Sequence, residues 1–531
     1  MKKKLLVGTF WLSFANLTSK ILGIIYIIPW LAMMGSQQDK LEAQALYNVA
    51  YVPYALFLTL GTAGFPSAIA KQVAEYNGRN NFRTSLKVLK ISGLLMTFTG
   101  IISAIMMYIL APTLAQNSPV NNVEDAILCI RSLCPSLIII PILSVFRGFF
   151  QGNNDLRPFS LSQIFEQLGR IIFILGFTYF ILQIKNDNIA QAVKLSTFAS
   201  FIGGMLALIY LIFYVYKRRL IYQVKLTNSL PVLSISTKQL INSIVKESIP
   251  FVIIGSAITV TQLIDQLMLK ELLIIKGDYT LRTIESLFSQ SSANPNKLTA
   301  LIIALAASVG GASLPLIAEI GCRNQYELER AVADSLRMTL MMLLPMSIGL
   351  MILSQPAYRL IFGPDRQGGN YLVVAVVAAI IFSLFATVFT IIQSLGEHRI
   401  ALIYFCIGIL VKIILQIPCI YYLEGYGANI ASVISFGLVT ILAYRRLTGK
   451  YKIKPLYYVR SNIIRIIFGS FIMGIICFVS AQSLRQFFDI NSWLSSFIYS
   501  IIVASIGVVV YCGIVFRKTA HNYYLKLKEY F

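Results

Sequence analysis

Apolar runs of about twenty residues follow one another along the whole chain, separated by short polar segments that hold most of the lysines and arginines. Twenty residues coiled at about 1.5 Å each cross the hydrocarbon of a bilayer. The pattern predicts fourteen transmembrane helices, at approximately 5–33, 45–70, 91–111, 126–146, 159–183, 192–216, 247–273, 299–320, 338–355, 371–395, 401–423, 428–444, 466–483 and 493–516. The fold class is therefore an all-α polytopic membrane protein.

Composition agrees with this reading. Of 531 residues 57% are hydrophobic and 13% charged, with mean hydropathy +0.74, where soluble domains run near a quarter charged. The net charge of +23 raises the question of nucleic acid, and its distribution answers it. With the amino terminus inside, the inner segments hold 31 Lys or Arg and the outer loops hold 8. That asymmetry is the positive-inside rule, so both termini are expected in the cytoplasm and the basic segments face anionic lipid. No nucleic-acid partner is expected.

Lys2, Lys3 and Lys4 precede an apolar run, as in a secretory signal, but the run is too long and lacks a small-residue cleavage site. It reads as the first helix. The seven Cys include no C-x-x-C pair, and the two His, His398 and His521, stand at membrane edges. No metal site, Ser-His-Asp arrangement or Walker motif is present, so neither an enzyme nor a nucleotide-driven motor is expected. Cofactors are expected to be none beyond a coupling ion or the membrane potential.

Two long basic inner segments divide the chain. They predict a six-helix lobe at 1–216, a linker at 217–246, a second six-helix lobe at 247–444, a linker at 445–465, and two further helices with a basic tail at 466–531. An internal echo supports a duplication: Gly61–Pro66 (GTAGFP) late in helix 2 and Gly310–Pro315 (GGASLP) late in helix 8 both fit G-x-A-x-x-P. A fainter one pairs Gln151…Arg157 with Gln393…Arg399. Six helices return the chain to its starting side, so such repeats run parallel, and transporters built this way hold substrate between the halves near the midplane. Gly61, Gly64 and Pro66, with Gly310, Gly311 and Pro315, are hinge candidates, the alternative being close packing by small residues.

Charge inside the apolar spans is where chemistry is expected. An ionised side chain at mid-bilayer costs about 2.5–3.5 kcal/mol, so it normally faces protein or a wet cavity. Ser13, Asn16, Lys20 and Gly23 form one stripe on helix 1, with Lys20 too deep to snorkel easily. Lys20 reads either as a cationic site for an anionic substrate group or as the partner of a neighbouring carboxylate. On helix 5, Ser160, Gln163, Gln167 and Arg170 share a face, and Glu166 stands one turn before Arg170, the spacing of an in-helix ion pair. On helix 7, Gln262, Gln266 and Lys270 line a face beside Asp265. Asp265 and Glu166 are candidates for ion coupling, and Asp265 could equally pair Lys20. Lys412 stands alone on helix 11. Fixed positive charge suits a phosphate-bearing substrate, for which lysine is a good point charge.

At these residues the sequence resembles the multidrug/oligosaccharidyl-lipid/polysaccharide (MOP) flippase superfamily, and within it the SpoVB/YtgP/MurJ-like polysaccharide-biosynthesis branch. Three stretches carry the resemblance: SKILG (Ser19–Gly23), YNVAYVPYALFLTLGTAGFPSAIAK (Tyr47–Lys71) and FRGFFQGNNDLRPFSLSQIFEQLGR (Phe146–Arg170). It extends over essentially the whole chain, including the two extra carboxy-terminal helices. It departs at the Arg-Asp pair that better-known lipid II flippases carry after the helix 1 motif, where Tyr26 and Ile27 stand, and in the apolar residues near Tyr54–Leu58.

The resemblance implies a V-shaped, two-lobed α-helical protein of the bacterial plasma membrane that alternates between inward- and outward-open states. It implies an undecaprenyl-pyrophosphate-linked cell-envelope precursor as substrate, lipid II first, with a teichoic-acid or other polysaccharide precursor, or a cation-coupled multidrug export role, as alternatives. Membrane lipids and cell-wall synthesis proteins are the implied partners.

Overall fold

The computed structural model describes residues 11, 14–15, 18–62, 64–230, 236–277, 279–320, 325–451, 455–488 and 492–515. In its described part each predicted span is helical over most of its length, and no strand occurs among the described residues. Ten helical segments among them are long and apolar enough to cross a membrane. One of these, His398–Lys450, contains two predicted spans, so the ten segments take in eleven of the fourteen, and the spans at 5–33, 247–273 and 299–320 are not among them. Contacts divide the chain into two units, Met1–Ser286 and Leu287–Phe531.

The first unit runs α1 (Thr18–Ala32), α2 (Gln37–Thr62), α3 (Phe65–Gly78), α4 (Phe82–Gln116), α5 (Val123–Gly152), α6 (Leu156–Tyr179), α7 (Ile189–Lys217), α8 (Arg219–Thr227) and α9 (Thr237–Lys276). Side-chain caps fix several starts: Asn81 accepts from the Thr84 amide, Asn122 from Glu124 and Asn188 from Gln191. Ser236 and Gln239 form a capping box at the head of α9.

Gly64 separates α2 from α3. Its φ of +76° is left-handed backbone that glycine adopts without cost. The break lies inside the first G-x-A-x-x-P motif. A few residues on, Pro66 meets Gly148 of α5 so closely that a Cβ there would stand 2.7 Å from the Pro66 carbonyl oxygen. The motif thus carries a helix break at Gly64 and a close contact at Pro66.

The segment expected as a linker is packed. Leu240 and Ile244 of α9 are buried in one core with Phe82, Val88, Phe149, Phe150 and Leu211, and Tyr222 of α8 stacks on Phe82 at 5.9 Å. Asp155, in the turn between α5 and α6, accepts from Tyr214 (2.7 Å) and Arg218 (2.9 Å) at the end of α7. Helix α9, expected to open the second lobe, packs on α2, α3 and α4 within this first unit. The apolar residues of its first turns draw it there.

Crossing the boundary is α10 (Leu281–Phe288). The second unit then runs α11 (Asn294–Ile320), α12 (Gln325–Ile352), α13 (Ser354–Phe362), α14 (Arg366–Ser394), α15 (His398–Leu423), α16 (Gly427–Lys450), α17 (Pro455–Leu484) and α18 (Trp493–Val515). Helix α11 continues through the second G-x-A-x-x-P motif without a break. The side chains at 310, 311 and 315 lie outside the described residues. Helices α17 and α18 pack on α12 through Met473, Cys477, Tyr499 and Tyr511, and the Tyr511 hydroxyl donates to the Met341 carbonyl. An apolar cavity of about 430 Å³ lies among α12, α13, α17 and α18.

Candidate functional site

Three largely buried charges of the first unit meet at α6. Glu166 accepts from Arg170 one turn along (3.1 Å) with one carboxylate oxygen and from Arg147 of α5 (2.8 Å) with the other. Arg147 also donates from Nε to the Ser162 hydroxyl (3.0 Å). All three side chains are about 15% exposed or less. Two guanidiniums share one carboxylate, so the triad keeps one net positive charge. Arg170 Nε is buried with no hydrogen-bond partner among the described residues.

An aromatic wall stands beside Arg170. Tyr47, Tyr51 and Tyr54 of α2 follow at helical spacing, with ring centroids 5.8 and 5.6 Å apart, within electrostatic reach of Arg170. Trp30 of α1 meets Tyr47 edge-on at 5.5 Å. Its indole N–H lies 3.1 Å from both the Thr178 and Ser196 hydroxyls, tying α1 to α6 and α7.

Helix α1 approaches α6 at Gly23, where a Cβ would stand 3.3 Å from Gln167 Nε2. Lys20 is one turn before that contact on α1, and Arg170 one turn after it on α6. Lys20 is exposed and makes no ion pair or hydrogen bond among the described residues. Gln167 is buried at the contact itself. Asn16 and Ser13 lie outside the described residues.

The helix 7 candidates are placed differently. Gln266, fully buried on α9, donates to the Val49 carbonyl (3.2 Å) and the Ser118 hydroxyl (2.7 Å). Lys270, one turn on, donates to the Gln116 carbonyl at the end of α4, where the helix dipole favours a cation. These two clip α9 to α2 and α4. Gln262 is half-buried and Asp265 is buried, 6% exposed. In the second unit, Lys412 is fully buried and donates to the Ala428 carbonyl and Ser432 hydroxyl of α16.

Glu166 has both oxygens bound by guanidinium, so its carboxylate holds α5 and α6 together. Sequence reasoning missed Arg147, which it counted with an inner loop although the residue lies inside α5. It also missed the tyrosines, whose 47/51/54 spacing was a visible signal.

The fold is shared with solved membrane transporters. It matches a solved lipid II flippase MurJ in an inward closed conformation with TM-score 0.64 at 18% identity, over 96% of this chain and 99% of that one. It also matches an inward-facing multidrug resistance MATE family transporter of the MOP superfamily, with TM-score 0.55 at 16% identity over 83% and 95%. The family model described as polysaccharide biosynthesis protein matches residues 5–321. The chain belongs to that family and is a multi-pass protein of the bacterial membrane. It is similar to the lipid II flippase MurJ of Bacillus subtilis (strain 168), with 31% identity over 97% of this chain and 95% of that protein.

Proposed function

We propose that the protein moves lipid II from the inner to the outer leaflet of the plasma membrane by alternating access, as a transporter and not as a catalyst. The observation that carries this is the pair of unneutralised cations in the first unit, Lys20 on α1 and the net-positive Arg147–Glu166–Arg170 triad on α5 and α6. They flank the Gly23–Gln167 contact and suit a pyrophosphate. Whole-chain similarity to a protein named lipid II flippase supports the choice among lipid-linked precursors.

In this mechanism the sugar head group is shielded from hydrocarbon while the polyprenyl tail stays in apolar surroundings. Lys20 and Arg170 hold the phosphates, the tyrosines of α2 offer rings and hydroxyls to the sugars, and Gly64 allows α2 and α3 to bend against each other. The membrane potential, acting at about 2.3 kcal/mol per charge per 100 mV, drives the reset. Both termini are cytoplasmic, so a cysteine near Lys225 resists impermeant thiol reagents in intact cells and one near Asn121 reacts.

Depletion followed by analysis of lipid-linked precursors tests the substrate. Lipid II accumulating on the cytoplasmic side is the expected result. Accumulation of a teichoic-acid precursor with lipid II unchanged overturns it.

A further inference from the structure

Helix α8 has an apolar face that the protein does not cover. Leu220, Ile221 and Val224 are 68, 52 and 59% exposed, and none of the helix's residues is buried. At about 100° per residue these three fall on one arc about 100° wide. Tyr222, on the opposite side, is stacked on Phe82. The helix is therefore held by one face, and its outward face is apolar.

Two further features say what covers that face. First, it continues a stripe on α7, where Ile209, Ile212, Phe213 and Tyr216 are all more than half exposed along one side of a membrane-spanning helix. In sequence the same spacing continues from Tyr216 to Leu220 and Val224, beyond the turn at Arg218. Second, the flanks are basic: Lys217, Arg218, Arg219 and Lys225 lie in residues 217–230, which contain no Asp or Glu. Arg218 is engaged by Asp155, and Lys225 sits over the Phe82 ring near Asn153. Lys217 and Arg219 are exposed and bonded to no acid among the described residues, the Arg219 guanidinium lying 4.8 Å over the Tyr216 ring. An apolar arc beside exposed cations fits the boundary between acyl chains and anionic head groups.

We propose that α8 seats on the anionic leaflet of the membrane, with Leu220, Ile221 and Val224 in the acyl boundary and Lys217 and Arg219 on lipid phosphates. The other side of the same segment then acts as a strap. The Leu230 amide donates to the Asn80 carbonyl (3.0 Å), the Ser229 hydroxyl accepts from the Arg83 amide (3.0 Å), and Arg218 holds Asp155. Lipid bound to α8 thereby steadies the turns that follow α3 and α5. This proposal does not depend on the identity of the transported molecule.

Hydrogen exchange tests it on the full-length protein in nanodiscs of phosphatidylcholine alone and with phosphatidylglycerol added. Each basic residue near an anionic surface contributes about a fivefold gain in binding, so the pair gives up to roughly thirtyfold. Amides of residues 220–227 should exchange more slowly in the anionic discs by up to that factor. Lys217→Gln with Arg219→Gln should remove the difference between the two discs, and Leu220→Ser with Val224→Ser should raise exchange in both. Equal exchange of the unaltered protein in the two discs overturns the anionic preference. Should a variant misfold, benzoylphenylalanine placed at Val224 in the otherwise unaltered protein gives a separate answer in cells. A phospholipid adduct supports the proposal; an adduct to a second copy or to another protein overturns it.

Discussion

Asp155 and Glu397, 242 positions apart, occupy the same place in the two halves of the chain. Each follows a residue of positive φ, Asn154 at +56° or Gly396 at +80°, in the turn between α5 and α6 or between α14 and α15. Each then captures basic and tyrosine side chains from the end of the next helix but one, α7 or α16. Asp155 takes Arg218 and Tyr214; Glu397 takes Arg446, Lys450 and Tyr451. Glu397 has more partners and is the less exposed of the two. Glu397→Ala should therefore cost about 1–3 kcal/mol and Asp155→Ala about 0–1, measured as thermal unfolding in detergent. The reverse order would mean that the second turn is held by something else.

Lys20 has no carboxylate partner among the described residues, and substitution tests its reading as a phosphate site. Lys20→Ala and Lys20→Glu should abolish complementation while the protein accumulates with unchanged thermal stability. Lys20→Arg should keep partial activity, because charge is retained while the planar guanidinium differs in shape from an ammonium. A fully active Lys20→Ala removes Lys20 from the site.

The triad predicts a contrast between its members. Glu166→Ala leaves two neighbouring guanidiniums unpaired, and losing one partner of a buried pair costs about 3–5 kcal/mol. Adding Arg147→Met to that variant should recover part of the loss. Arg170→Ala leaves Arg147 and Glu166 bonded, so it should be nearly as stable as the unaltered protein and yet inactive. Melting curves beside growth of a depletion strain read both outcomes.

A pH dependence is expected from Glu285 on α10. Burial first, then the nearby Glu42 carboxylate, pushes its carboxyl up to about 7, against a backbone hydrogen bond from Asn121 and the charge of Arg282. Asp125 adds a smaller push in the same direction. The folded protein thus holds this proton more tightly than the unfolded chain does. Stability from this group is complete below about pH 4.5 and declines as pH rises through about 7. Glu285→Gln should flatten the melting temperature over that interval; an unchanged slope assigns it to other groups.

The spans were legible because twenty apolar residues in a row have few other fates. The fainter of the two internal echoes, Gln151…Arg157 with Gln393…Arg399, marks the turns that carry Asp155 and Glu397. The stronger echo, at the two G-x-A-x-x-P motifs, corresponds to a helix break at Gly64 and to continuous helix in α11. A shared motif permits a bend without imposing one. Glu166 and Arg170 were readable as a pair because both lie on one helix. Arg147 was not, since its approach depends on how α5 packs on α6, which spacing along one helix does not encode. Gln266 and Lys270 looked like cavity residues because a polar stripe has the same spacing whether it faces water or another helix's carbonyls. The basic segment 217–246 read as a linker from its charge, although Leu240 and Ile244 fall at core spacing within it.

The indole of Trp30 shares its one N–H between two hydroxyls that also lie within 3.0 Å of each other. That arrangement makes the docking of α1 optically readable. The chain has three tryptophans, and of the other two Trp493 is 48% exposed while Trp11 is only partly buried. With Trp11 and Trp493 replaced by Phe, emission comes from a single indole whose colour depends on whether α1 lies against α6 and α7. Departure of α1 into a wetter setting would shift that emission to the red, giving a label-free spectral record of the helix that carries Lys20.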